Sequence, residues 1–339
     1  MKKKVELPLL KPKFSTYHGQ GALGGMLAKN PTIWNWLLNE AVILRCERDF
    51  LFGYSSPKVT VEKTDTAECP HIDKRLFQME FTKGYINPII RTLLDKGFYA
   101  YFAGIDDYYM EGKSWYGERH FGHDGLICGY DMEEKTYTVF AYDKNWIFRK
   151  IKIPMRCFEE GRKSMFKRGN YGVVFGFLPR QTKVDFSPEC VYKKLVEYLD
   201  SSLEKYPPTE KGAVLGIAVQ EYIVKYLDMH IDGSIPYEKL DRRVFRLIWE
   251  HKKVMWERIH VTEEILNLDH STSDAYETIL AEADTMRMLY ASHHMKRRDS
   301  LLLVIKRKLL SINEAEKQLL SEFIEKMEEK FNDETLGNN

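Results

Sequence analysis

Cysteine is scarce in this chain: five in 339 residues, with no C-x-x-C pair among them. That scarcity argues against a disulfide framework and against a zinc-ribbon type of metal site. Cys46, Cys128, Cys157 and Cys190 are expected to be reduced packing residues, since a free thiol behaves as a small hydrophobe. Cys69, in "TAECPH" beside Pro70 and His71, is the candidate for an exposed thiol. Charge of one sign is also lacking, with 51 Lys and Arg against 50 Asp and Glu. There is no electrostatic case for nucleic acid or an anionic membrane as partner. No apolar run approaches the roughly 18 residues of a membrane span, and there is no internal repeat. The opening "MKKKVELPLLKPKF" is basic, but its apolar stretch is broken by Glu6 and Pro8 and lacks a small-residue cleavage site. The chain is therefore expected to be cytoplasmic.

What is present is the composition of a protein with a real core: 44% apolar and 30% charged residues. The texture changes near residue 180. Before it, aromatics, turns and strand-like runs dominate; after it, apolar residues recur at three- and four-residue intervals with charged faces between. The expectation is an α+β domain over 1–182 and an all-α domain over 183–339. Early helices are expected in "GQGALGGMLAKN", in "PTIWNWLLNEAVILRCERD" and in "GYINPIIRTLLDKG", the last closed by Gly97. Residues 54–71 read as a loop. Strands follow in "FYAYFAGIDDYY", "GLICGY", "TYTVFAY", "WIFRKIKIP" and "YGVVFGFLP", consecutive and so antiparallel. Two long helices are expected over 271–295 and 299–331.

The chemistry concentrates in "RHFGHDGLICGYDMEEKTYTVFAYDKN". It reads as a hairpin, with strands at 125–130 and 136–142 and a polar turn between them. An antiparallel pair sets the residue before its first strand beside the residue after its second. His123 and Asp143 are thus candidate neighbours, a base and the carboxylate that orients it. Asp124 faces the other way along the strand. His120, three residues earlier in a polar loop, is a candidate substrate contact, and Trp115 and Tyr116 in the same loop are candidates for a substrate wall.

The stretch "LLDKGFYAYFAGIDDYYMEG…HFGHDGLICGYDMEEKTYTVFAYDKN", followed by "IKIPMRCFEEGRKS", resembles the BtrH-type amino-terminal domain, named for a butirosin-biosynthesis protein. The helical remainder resembles the helical domain that often follows it. The resemblance implies a papain-like α+β fold and thiol-based acyl or peptidyl transfer in specialised-metabolite (antibiotic) pathways. The substrate would be a small molecule or peptidyl group carried on a carrier protein, and no cofactor is implied. The family's nucleophilic Cys begins the first helix, in a stretch like Cys-Gly-x-x-Ala-Leu. Here the matching residues are His18-Gly19-Gln20-Gly21-Ala22-Leu23, so His18 stands where the thiol is expected. By that resemblance His123 is the general acid/base and Asp143 fixes its tautomer, while Gly19, Gln20 and Gly21 form an oxyanion or substrate-contact wall.

The sequence leaves three readings of His18: a degenerate nucleophile position in a protein that only binds, an acting imidazole, or a structural residue. His18, His123 and Asp143 also make a known ligand set, but nothing in their spacing singles it out and no metal is expected. Two functions follow. One is an acyltransferase or hydrolase acting on an acyl or peptidyl group. The other is a non-catalytic protein that binds a peptide-like metabolite or a carrier-protein partner. Oligomeric state is left open.

Overall fold

The computed structural model describes residues 2–53, 56–78, 86–169, 172–201 and 211–336. In chain order its elements are β1 (Lys4–Glu6), α1 (His18–Met26), α2 (Ile33–Glu40), β2 (Leu44–Glu47), β3 (Thr60–Val61) and β4 (Ile72–Gln78). Then come α3 (Ile86–Asp95), β5 (Tyr99–Asp106), β6 (Gly122–Asp131), β7 (Thr136–Tyr142), β8 (Phe148–Pro154), α4 (Met155–Lys167) and β9 (Val173–Pro179). The last stretch holds α5 (Pro188–Leu199), β10 (Ala213–Leu215), α6 (Val219–Ile231), α7 (Val244–Leu266), α8 (Ser271–Lys296) and α9 (Asp299–Leu336). The fold is α+β, with antiparallel sheets in the amino-terminal half and a helical carboxy-terminal region.

Contacts group the chain into two compact units. One is Met1–Trp34 with Thr64–Val184; the other is Asn35–Lys63 with Asp185–Asn339. The passage near 184 lies close to the expected boundary at 182. The segment 35–63, expected within the first domain, packs with the second unit instead.

In the first unit the sheet runs β4-β9-β5-β6-β7-β8, and β1 extends it along β6. All pairings are antiparallel. Strand β6 is the pivot. Its early residues pair with β5 (Ile105 opposite His123, Phe102 opposite Gly125), and its late residues pair with β1. Along its other side it pairs with β7, from Leu126 opposite Phe140 to Asp131 opposite Thr136. Helix α1 packs on β6 and β7, and α4 on β5 and β8. The aromatic core between α4 and the sheet includes Phe158 edge-on to Phe102 and Tyr137, with centroids 5.2 and 5.5 Å away. Such pairs contribute roughly 0.5–1.5 kcal/mol each beyond area burial.

In the second unit β10-β2-β3 form a small antiparallel sheet. The helix expected through "PTIWNWLLNEAVILRCERD" stops at Glu40, and Leu44–Glu47 is strand β2. Its carboxy-terminal carbonyls are held by buried Arg258 of α7. Nε donates to Leu38 O at 2.5 Å, and Nη2 donates to Ala41 O at 2.9 Å and Leu37 O at 3.3 Å. A fixed guanidinium fork at the carbonyl end both satisfies orphan acceptors and complements the helix dipole. Helix α7 is buried on most of its circumference, and α8 and α9 run as a long antiparallel pair beside it. No helix is long and apolar enough to cross a membrane among the described residues.

Candidate active site

Helix α1 begins at His18, and its glycines are there for close approach. A Cβ on Gly19 would lie 2.0 Å from Asp65 Oδ2, and one on Gly21 would lie 2.3 Å from the Phe148 ring. Gly25 is pressed in the same way against Phe140. Helical glycine costs about 1 kcal/mol relative to alanine, and here that cost is offset by seating the helix start deep against β7 and β8.

His18 is buried, and its ring meets three others edge-on: His123 at 4.3 Å between centroids, Tyr142 at 5.4 Å and Phe148 at 5.7 Å. Its Nε2 has no hydrogen-bond partner among the described residues. Burial, followed by the nearby charges of Lys113 and His123, pulls its pKa well below the ordinary histidine value, so the ring is neutral.

His123 opens β6 with its side chain 20% exposed, and its Nδ1 lies 2.7 Å from Asp107 Oδ2, a fully buried carboxylate. A carboxylate acceptor places the proton on Nδ1 and leaves the Nε2 lone pair available. The orienting residue is therefore Asp107, and the expectation that Asp143 would hold His123 is corrected. Asp143 Oδ1 instead accepts the backbone N–H groups of Asn145 (2.8 Å) and Ile147 (2.9 Å), while Arg149 pairs with Oδ2 at 2.6 Å. Burial works to raise the Asp143 pKa, but those N–H groups and Arg149 outweigh it and hold the carboxyl below its usual range. It anchors the turn after β7.

Asp107 was missed because a strand inside a sheet has two neighbours. Hairpin logic looks only to β7, whereas β5 runs along the other edge of β6 and delivers "IDDYY" to His123. The signal available was the doubled aspartate at a strand end, and both members hold a histidine. Asp106 Oδ2 lies 2.7 Å from His120 Nδ1 and also accepts from Ser164 Oγ at 2.6 Å. Burial alone would raise the Asp106 pKa. Hydrogen bonds from Ser164, His120 and the backbone of Tyr108 and Phe121 more than offset it and lower the value. His120 stacks on Tyr108 at 4.3 Å and faces a cleft of about 320 Å³ lined by Tyr109, Lys163, Ser164 and Lys167, in which His18 and His123 take no part.

Lys113 was also missed. It is buried in the loop after β5, with Nζ 3.7 Å from Asp107 Oδ2 and no hydrogen bond among the described residues. Burial lowers its pKa, with Asp107, Asp124 and Asp143 pulling the other way. Nothing in "YMEGKSWYG" distinguishes a buried lysine from an exposed one.

The expected wall of Gly19, Gln20 and Gly21 has mostly structural partners. Gln20 Nε2 donates to Thr64 Oγ1 at 2.8 Å, and its Oε1 accepts the Tyr17 N–H at 3.2 Å. The Gly21 N–H donates to Tyr17 O at 3.0 Å, and Gly19 O accepts from Thr66 Oγ1 at 3.2 Å. Gln20 thus closes the helix start rather than facing substrate. Of the aromatics in and after the loop preceding β6, Phe121 is the one in contact with the base. Phe121 is exposed and lies edge-on to His123 at 5.3 Å. Half-buried Trp115 meets exposed Trp146 at 6.1 Å, and Arg119 lies over Trp115 at 5.5 Å and Phe121 at 6.0 Å. Tyr116 is exposed in the same loop.

None of the five thiols is poised to attack. Cys69, expected to be exposed, is fully buried, and burial pushes its pKa up to about 11. Burial raises Cys128 to about 12 and also raises Cys46, Cys157 and Cys190. Cys128 Sγ donates to Thr138 O at 3.4 Å and Cys157 Sγ to Glu111 Oε1 at 3.3 Å. A reactive thiol needs a lowered pKa and access; all five have raised values, and four of them are buried as well, with Cys190 half-buried.

A neutral buried imidazole has a consequence for acid stability. The unfolded chain binds a proton on His18 near pH 6.5, and the folded chain does not until far lower pH. Below pH 6.5 the unfolded state therefore holds more protons, and stability falls as pH falls, by up to about 1.4 kcal/mol per pH unit for each such group. His251, held well below the usual value by burial, acts with the same sign, as do His230 and His294, lowered to about 4. Urea midpoints should drop little between pH 7.5 and 6.5 and more steeply between 6.5 and 5.5, and His18→Phe should flatten that second step. Equal slopes for the variant and the unaltered chain would place the proton uptake elsewhere.

No protein-family model matches the sequence, and no curated protein matches it either.

Proposed function

We propose that the first unit handles an activated acyl or peptidyl group, and that His123 acts as general base in a direct transfer. The observation that carries this is the His123–Asp107 pair, with a second, neutral imidazole packed on it where the BtrH-type resemblance puts a thiol. In the transfer, the amine or hydroxyl acceptor attacks the acyl carbon of a thioester. His123 Nε2 takes the acceptor's proton as the C–N or C–O bond forms, and Asp107 stabilises the imidazolium. The C–S bond then breaks, and His123 returns the proton to the departing thiolate. A thioester is reactive enough that no enzyme-bound acyl intermediate is required. His18, neutral with an open Nε2, is placed to hydrogen-bond a substrate polar atom. The exposed loop aromatics offer an apolar lip for the acyl chain or for a carrier's pantetheine arm.

A second reading is a binding protein for a peptide-like metabolite. It is favoured by the same unpartnered His18 Nε2, which a bound ligand would satisfy. One assay separates the two. The unaltered chain is incubated with an acyl-N-acetylcysteamine thioester and an amine, with and without prior iodoacetamide. Turnover that survives alkylation, with no acyl adduct by intact mass, is the expected result. A cysteine-linked adduct, or loss of turnover on alkylation, overturns direct transfer. Saturable thioester binding with no turnover assigns the chain to the second reading.

A further inference from the structure

The turn between α7 and α8, within the second unit, gathers two histidines and a glutamate whose ligand atoms all lie within 4.8 Å of one another: His260, Glu263 and His270. The local sequence explains the gathering. His260 and Glu263 are spaced i,i+3 and so share a face of the last turns of α7. Helix α7 ends at Leu266, Asn267 takes a left-handed conformation (φ 50°), and the Leu268 N–H returns to Glu263 O at 2.9 Å. That reversal carries His270, the residue preceding α8, back over the same face. The two imidazole rings end 4.7 Å apart, with His260 stacked on Trp256 at 5.5 Å.

Glu263 is the unusual member. It is completely buried, and its Oε1 accepts the Thr272 and Ser273 N–H groups at 3.0 and 3.1 Å, capping α8. Its Oε2 has no hydrogen bond among the described residues and lies 3.4 Å from His270 Nδ1. No Lys or Arg forms an ion pair with it among those residues; Lys326 of α9 pairs with Asp269 instead. A buried carboxylate oxygen without a donor costs about 1–3 kcal/mol or more, so it calls for a cation.

We infer that His260, Glu263 and His270 form a site for a divalent transition metal, zinc first, which ties the end of α7 to the start of α8. Two nitrogens and one carboxylate oxygen are a ligand set that zinc takes at about 2.0–2.2 Å, leaving a fourth position open. Ligands at that distance in a tetrahedron stand about 3.3 Å apart, which matches the 3.4 Å between Glu263 and His270. His260 is half-buried, held by the Trp256 stack and by Glu264, and its ring would turn to close the remaining gap. Glu264 Oε1, 3.5 Å from His260 Nε2, or a water can fill the fourth position. The ion would supply the charge that Glu263 Oε2 lacks. Imidazole also suits copper and nickel, and the titration below ranks them. Neither cysteine spacing nor the histidines of the first unit carry any signal of this site, which is gathered by a chain reversal.

The test uses the full chain, free of any histidine tag and stripped with EDTA. Titration with zinc chloride at pH 7.5 by calorimetry, alongside copper and nickel salts, should show saturable uptake of one ion per chain, with a zinc-dependent rise in Tm. His260→Ala and His270→Ala lie at partly exposed positions and leave the Glu263 cap in place. Each should weaken zinc binding by more than about 100-fold, beyond the roughly 10–100-fold that loss of an outer-shell partner costs, and should abolish the Tm rise. The metal-free Tm of both should stay near that of the unaltered chain. Absence of saturable uptake, or one-ion uptake unchanged in both variants, overturns the site.

Discussion

His123→Ala is expected to lower the acyl-transfer rate by roughly 10²–10⁴-fold, the range that a positioned general base supplies. Asp107→Asn is expected to cost nearly as much. Asparagine keeps the shape but presents either an N–H that repels Nδ1–H or a neutral carbonyl that no longer stabilises the imidazolium; the equivalent change in a Ser-His-Asp triad costs about 10⁴-fold. Asp143→Asn is the informative control, because Asp143 serves the backbone of residues 145 and 147 and Arg149 rather than His123. Its effect on rate should stay within a few-fold. Steady-state kinetics on the three variants decide the matter, with urea denaturation run in parallel because Asp107 also lies 3.7 Å from buried Lys113. If Asp143→Asn were the crippling change and Asp107→Asn the mild one, the dyad described here would be the wrong one.

Lys252→Met should destabilise the second unit by about 3–5 kcal/mol, the usual result of removing one member of a buried ion pair. Lys252 and Glu316 are both completely inaccessible, with Nζ 2.5 Å from Oε2. The surrounding donors complete the network. Gln220 Nε2 reaches Oε2 at 2.7 Å, Tyr198 Oη donates to it at 3.3 Å, and Tyr276 Oη donates to Oε1. Burial lowers the Lys252 pKa while Glu316 pulls it up, so the pair is held together by mutual need and not by water. Without lysine, Glu316 keeps its neutral donors but loses its counter-charge. Against a total stability of about 5–15 kcal/mol for a typical domain, that is a large share. The double variant Lys252→Met/Glu316→Leu removes both charges and should recover most of the loss. Denaturant midpoints would show it; a single variant within 1 kcal/mol of the unaltered chain would mean that the site rehydrates or neutralises at little cost.

Much of the local structure was legible from residue order. The strand expected at 136–142 is β7 to the residue, because a short run rich in β-branched and aromatic residues, bounded by the polar turn before it and Asp143 after it, suits a pleated and largely buried strand. The long helices expected over 271–295 and 299–331 appear as Ser271–Lys296 and Asp299–Leu336, since sustained 3.6-residue periodicity has few other solutions. Gly97 closes α3 with a φ of +82°, as its position after the helix required. The errors have one physical origin. "ILRCE" carries apolar residues at a spacing that fits helix or strand, and pairing with β3 and with β10, some 170 residues away in the chain, made it β2. Strand β4, which was not expected at all, is likewise made by a distant partner, β9.

The candidate site divides in the same way. A glycine-rich helix next to His18 and a hairpin strand next to His123 followed from residue order, while the BtrH-type resemblance put His18 at that helix's start. Helix starts and strand periods are local properties. Which carboxylate holds His123, that Lys113 is buried beside it, and that Glu263 meets two histidines at a turn were decided only by tertiary structure. A strand's second neighbour, the depth of a loop and the direction of a chain reversal depend on what packs against them, and no short window of sequence contains that.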